Sequence, residues 1–224
     1  MRGLSQSEVA ERVANGQTNA TKQTTSRPLW HIIRDNVFTL FNAILTVCFA
    51  AVVVFSALLW EFPFLPRQLT LVSTLTIGIP SFVLALAPNK RLYHPGILRR
   101  LIRYSAATGV VAAVTVGFTF AIVRSLVPLS EARTITTIAL FVVAFWILCV
   151  LSRPLNSVRS LLLVAMFTLM ILALTVPFGR DFFALDVVPG TPLLTGIVAG
   201  AIGAACIEVV YRYARRRALI FDRE

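Results

Sequence analysis

The sequence predicts an all-α fold, a polytopic helical membrane bundle of about six transmembrane helices with both termini cytoplasmic. Three observations carry this. Of 224 residues, 57% are apolar and only 14% charged, whereas soluble domains carry about a quarter charged residues. Six apolar runs reach the roughly 20 residues that a helix needs to cross a bilayer core. The cations fall between those runs on alternate sides, as a positive-inside distribution requires.

The elements follow in order. Residues 1–36 form a polar N-terminal segment rich in Ser, Thr, Asn and Gln. Ser5 and Glu8 fit a capping box, and Val9 and Val13 follow at helical spacing, so residues 5–14 read as a short amphipathic helix. No cleavable signal peptide is expected, and the first apolar run is expected to serve as an uncleaved span. The expected spans are Val37–Trp60, Gln68–Ala87, Tyr104–Leu126, Thr134–Leu151, Val158–Val176 and Leu193–Tyr211, within a transmembrane domain of residues 37–213. Residues 214–224 form a basic cytoplasmic tail. Pro63, Pro66, Pro88, Pro95, Pro128, Pro154, Pro177, Pro189 and Pro192 punctuate the connections.

With the N-terminus inside, 17 of the 21 Lys and Arg residues are cytoplasmic. The other four, Arg67, Arg124, Arg133 and Arg180, lie outside. The formal net charge of +11 therefore points to topology and anionic lipid headgroups rather than to nucleic acid.

Small residues recur every four positions at Gly109, Ala113 and Gly117, and at Gly196 and Gly200 with Gly203 beside them. Such faces let helices approach closely in lipid. Packing within one bundle is the favoured reading, and a dimer interface the other.

Ionisable or amide groups inside spans are the usual mark of an ion path. The sequence offers Asn42 in the first span and Glu208 near the cytoplasmic end of the last. Arg212 stands four residues after Glu208, the favourable order for a helical ion pair, and that reading is preferred to an ion ligand. Thr76-Ile77-Gly78-Ile79-Pro80-Ser81 places Gly78 and Pro80 inside a span. Freed backbone carbonyls there suit a cation site, and a simple kink suits the same residues. The two readings stand even. Cys48, Cys149 and Cys206 sit singly in apolar runs and read as packing residues. No phosphate-binding GxxxxGK[ST] loop, GxSxG elbow or HExxH helix is present.

Two blocks of sequence resemble a known family. Gly3-Leu4-Ser5, Glu8-Val9, Arg12, Gly16 and Asn19, then Ile33-Arg34-Asp35-Asn36, Phe38-Thr39 and Phe41-Asn42-Ala43-Ile44-Leu45, resemble the N-terminal signature and first-helix entry of bacterial cation-transporting P-type ATPases. Phe62-Pro63-Phe64-Leu65-Pro66-Arg67-Gln68-Leu69-Thr70-Leu71 and the run from Leu71 to Asn89 are similar to the turn before that family's sixth helix and to the helix itself. The remainder is similar to helices seven to ten, with the flavour of actinobacterial calcium-type pumps. The resemblance puts a seam between Thr46 and Glu61, where the family carries its actuator, phosphorylation and nucleotide domains. The motifs TGES and DKTGT and the Pro-Glu-Gly of helix four do not occur.

The resemblance implies ATP and Mg²⁺ as the family's reactants, but no cofactor on this chain and no ATP hydrolysis of its own. Where calcium-type pumps commonly carry an Asp before the Gly-x-Pro of helix six, this sequence has Ile77. The expected function is a membrane-domain relative of such a pump, in the plasma (inner) membrane. The alternatives are a regulatory or scaffold subunit, partnered by a larger pump chain or by itself, and a small passive cation channel.

Overall fold

The computed structural model describes residues 4–16, 30, 39–57, 61–86, 97–188 and 190–216. All regular structure among them is helical. The chain forms two compact units, residues 1–60 and 61–224.

In the first unit, α1 (Gln6–Ala14) starts at the expected capping box. The Ser5 amide donates to Glu8 Oε2 at 2.8 Å, and the Glu8 amide points back to Ser5 Oγ at 3.4 Å. α2 (Leu40–Ala57) is an apolar helix of 18 residues. It covers the middle of the first expected span, whose flanks lie outside the described residues.

The second unit opens with α3 (Pro66–Ser73), a π turn at Thr74–Gly78 and α4 (Ile79–Ala85). These run as one segment. α5 (Ile97–Arg124), α6 (Leu129–Leu151), α7 (Ser157–Thr175), a short α8 (Pro177–Phe183) and α9 (Thr191–Arg216) follow. Among the described residues, five segments are long and apolar enough to cross a membrane: Pro66–Ala85, Leu101–Arg124, Leu129–Leu151, Ser157–Thr175 and Thr191–Arg215. Several helices outrun their apolar runs. α5 already includes Arg99, Arg100 and Arg103, and α6 begins five residues before Thr134.

α6 is the central helix. It packs against α5, α9, α3, the π turn and α7, and Ile135, Ala139 and Val143 are fully buried on it. The main core joins Leu71, Val72 and Leu75 to Ile138 and Phe141 of α6 and to Leu162, Met166 and Met170 of α7. α6 also buries Thr134, Thr136 and Thr137. The Thr136 and Thr137 hydroxyls donate to carbonyls four residues back, at 2.7 and 2.8 Å. A buried hydroxyl in an apolar surround is costly unless bonded, and the helix supplies its own acceptor.

Polar staples close the two ends of this bundle. At one end Arg124 pairs with Glu61, Arg133 Nε donates to the Phe62 carbonyl at 3.0 Å, and Arg67 Nη1 reaches the Asp181 carbonyl at 3.4 Å. The Asp186 amide donates to Thr134 Oγ1 at 2.9 Å. At the opposite end Arg153 and Arg212 converge on Glu208. Asn156 caps α7 there by accepting from the Arg159 amide at 2.9 Å.

Candidate functional site

The Gly78–Pro80 segment folds as a continuous helix with a π turn, not as two separated half-helices. Pro80 has no N–H to donate four residues back to the Thr76 carbonyl. The widened turn absorbs this, since the Ile79 amide bonds the Thr74 carbonyl. The Ser81 hydroxyl donates to the Gly78 carbonyl at 3.0 Å. Such single π turns occur inside α-helices, often at functional sites.

Thr76 and Pro80 are buried, and Gly78 is exposed. A methyl group added at Gly78 would meet only the Ser73 carbonyl oxygen, at 3.8 Å. Beside the turn lies an open groove of about 340 Å³ between Leu69, Thr70, Val72, Ser73, Thr76 and Ile77 on one side and Leu140 and Ala144 of α6 on the other. Its hydroxyls bend onto their own helix. Thr76 donates to the Val72 carbonyl at 2.8 Å, Thr70 to Pro66 at 3.0 Å and Ser73 to Thr70 at 3.2 Å. The groove therefore offers a cation hydroxyl lone pairs and no carboxylate. Hard cations such as Ca²⁺ take six to eight oxygens, usually with carboxylates among them.

Glu208 lies elsewhere, at the Arg153 end. Arg153 grips it with two parallel bonds, Nη1 to Oε1 at 3.1 Å and Nη2 to Oε2 at 3.0 Å. Arg212 Nε adds a bond to Oε1 at 2.9 Å. The guanidinium of Arg153 also stacks over the Tyr211 ring, 5.2 Å from its centre. Two cations thus satisfy the one carboxylate with charge-assisted bonds. The Glu208–Arg212 pair follows from helical spacing. The Arg153 contact has no local sequence signal, because the partners stand 55 residues apart.

Asn42 belongs to the first unit and is half-buried. Its backbone amide donates to Thr39 Oγ1 at 3.1 Å, and its backbone carbonyl accepts from the Thr46 hydroxyl at 2.8 Å.

The small residues divide. An added methyl at Gly196 would sit 2.5 Å from Ile135 Cγ2, one at Gly200 2.8 Å from Val142 Cβ, and one at Gly203 2.6 Å from Thr115 Oγ1. These glycines bring α9 directly onto α6 and α5. Gly109 and Gly117 meet nothing within 4 Å, and Ala113 is exposed with them. Among the described residues, no three His, Cys, Asp or Glu side chains gather as a metal site.

Residues 1–53 match the family described as cation transporter/ATPase, N-terminus. The chain is 32% identical over 155 residues to the calcium-transporting ATPase CtpE of Mycobacterium bovis, a match covering 67% of this chain and 19% of that protein. CtpE of Mycobacterium tuberculosis is 31% identical over 155 residues, with the same shares. CtpE of Mycolicibacterium smegmatis is 31% identical over 157 residues, covering 67% of this chain and 20% of that one. The chain is a relative of the P-type cation-transporting ATPases. It spans about a fifth of the length of the curated relatives it matches. No solved structure matches.

Ile77, between Thr76 and Gly78, is exposed on the bundle surface and has no side-chain oxygen to offer.

Proposed function

We propose that this P-type ATPase relative is a membrane module of the calcium type without ATP hydrolysis of its own. One observation carries the reading. Glu208, the carboxylate within the last span, is held by Arg153 and Arg212, and the hydroxyls around the helix break are spent on their own backbone. Nothing in that arrangement supplies an acidic ion-binding or phosphate-accepting centre. The module sits in the plasma (inner) membrane with its Arg153 end cytoplasmic, facing anionic headgroups, as the charge distribution favours.

The test is direct. Purified protein, incubated with labelled ATP and Ca²⁺, forms no acid-stable phosphoenzyme, and proteoliposomes take up no Ca²⁺ on ATP addition. An acid-stable phosphoenzyme on this chain overturns the proposal.

A subunit role is favoured by the open Gly109–Gly117 face of α5, which suits a larger pump chain or a second copy. A stoichiometric chain carrying an aspartyl-phosphate domain, recovered in mild detergent, supports it. A passive cation channel is the remaining reading. It requires conduction in liposomes that changes with Thr76→Val or Gly78→Leu.

A further inference from the structure

α8 lies in the connection that Pro177 punctuates, between the fifth and sixth expected spans. It is a short helix fixed at both ends. Only one residue separates it from α7. A methyl at Gly179 would lie 2.9 Å from the Ala173 Cα, so glycine lets α8 press against the last turn of α7. Its far end stops at Ala184, at a positive φ of 50°. Gln68 Nε2 holds the Ala184 carbonyl at 2.8 Å, and Arg67 Nη1 reaches the Asp181 and Phe182 carbonyls at 3.4 and 3.5 Å. A cation at a helix C-terminus is favourably placed.

Held this way, α8 presents three faces. Gly179 meets α7, and Phe183 packs on the main core. Phe178 and Phe182, one turn apart, are 78% and 61% exposed, their rings stacked at 6.2 Å. Asp181 lies on the remaining, exposed side with Arg180 next to it. The aromatic pair continues the exposed apolar surface that α7 carries through Leu161, Val164 and Leu172 and that Val176 extends. That surface belongs to a helix long and apolar enough to cross a membrane, and for such a helix lipid is the cover its composition favours. α8 begins where α7 ends and precedes the start of α9, which sets it at the level of the bilayer boundary.

We infer that α8 is an in-plane amphipathic anchor. Phe178 and Phe182 insert at the headgroup–acyl boundary of the leaflet at the Arg67 end, while Asp181 faces water. Short amphipathic helices with aromatic residues on one face lie in this plane, and aromatic rings favour this depth.

The test is site-directed spin labelling of the full chain in lipid vesicles, with Cys48, Cys149 and Cys206 replaced by Ala. Labels at Phe178→Cys and Phe182→Cys are several-fold more accessible to oxygen than to a water-soluble nickel complex, and report a shallow depth. A label at Asp181→Cys shows the reverse preference. Nickel accessibility at 178 equal to that at 181 overturns the inference, as does a mid-bilayer depth. Shielding from both reagents also overturns it, because the face is then covered by protein. Should the cysteine-free chain fail to fold, Phe178→Trp in the native background gives the same reading. Its added fluorescence is quenched more by lipids brominated near the headgroup than by lipids brominated near the chain end. Equal quenching, or none, overturns the inference.

Discussion

Arg153, just past the end of α6, and Glu208, in the last turns of α9, are joined by two parallel hydrogen bonds of 3.1 and 3.0 Å. The Glu208 side chain is only 15% exposed, whereas Arg212, its other partner, is 71% exposed. A fork of this kind is stronger and more directional than a single exposed pair. Arg153→Ala is therefore expected to cost about 1–3 kcal/mol, between the values for surface and buried pairs. Arg212→Ala is expected to cost less than about 1 kcal/mol. Unfolding of the purified protein in mixed micelles measures both. Equal losses for the two variants would show that the fork adds nothing beyond the local helical pair.

Gln68 is fully buried and bonded at both ends of its amide. Oε1 accepts from the Leu65 amide at 2.9 Å, and Nε2 donates to the Ala184 carbonyl at 2.8 Å. Gln68→Leu keeps the bulk but strips a partner from each of these backbone groups. An unsatisfied buried group costs about 1–3 kcal/mol, so a loss of about 2–4 kcal/mol is expected for the pair. Gln68→Glu keeps the Leu65 bond yet turns a carboxylate oxygen toward a carbonyl. It should therefore recover stability as the pH is lowered and the carboxyl protonates to a donor. A Gln68→Glu variant whose deficit does not shrink in acid would mean that Ala184 does not need this donor.

Much of the bundle is legible in the sequence, because a span must be long, apolar and helical, and the runs that satisfy this are few. Pro63, Pro128 and Pro154 mark connections for a local reason, the missing amide and restricted φ. The form of the break at Thr76–Pro80 is another matter. Gly and Pro signal weakness, but only the packing of α3 on α6 and of the turn itself on α6 and α7 selects a π turn over a gap. α8 is seven residues long, too short for periodicity to register against its Pro and Gly. The helix of the third span starts at Ile97, ahead of Arg99 and Arg103, because hydropathy stops at the membrane surface and helical hydrogen bonding does not. The glycines of α5 and α9 share a spacing of four, and sequence alone holds nothing to separate those that touch a neighbour from those that face outward. Likewise, i,i+4 geometry presents Arg212 to Glu208, while the Arg153 contact exists only once α6 and α9 are side by side.

The division of the glycines gives opposite expectations. At Gly196 a methyl would fall 2.9 Å from the Ile135 carbonyl oxygen, and at Gly200 3.1 Å from the Ala139 carbonyl oxygen. These are backbone atoms, so relief requires α9 to move off α6. Gly196→Ala and Gly200→Ala are each expected to cost about 1–3 kcal/mol, the range for overpacked interiors. Gly117→Ala meets nothing within 4 Å and gains helix propensity, about 0.5–1 kcal/mol. Micelle unfolding checks the signs. If Gly117→Ala instead lowers stability in a concentration-dependent way, a second chain packs on that face.

The Glu61–Arg124 pair at the Arg67 end gives a pH prediction. The hydrogen bond from Arg124, above all, holds the Glu61 carboxyl below its ordinary value, with smaller help from the charges of Arg124 and Arg133. A carboxylate with a depressed folded pKa contributes stability above its unfolded pKa and loses it as pH falls through the folded one. The contribution is therefore complete near neutral pH and disappears in acid, below about pH 4. Arg133, bonded to the Phe62 carbonyl at 3.0 Å, holds the same segment without a titrating partner, so the connection loosens rather than detaches. Amide exchange of the 61–72 peptide, compared between wild type and Glu61→Gln at each pH, reads this out. Wild type is more protected than the variant at neutral pH, and the difference closes in acid. Indistinguishable protection at neutral pH would mean that the exposed pair is dissolved by solvent, leaving Arg133 as the tie at that corner.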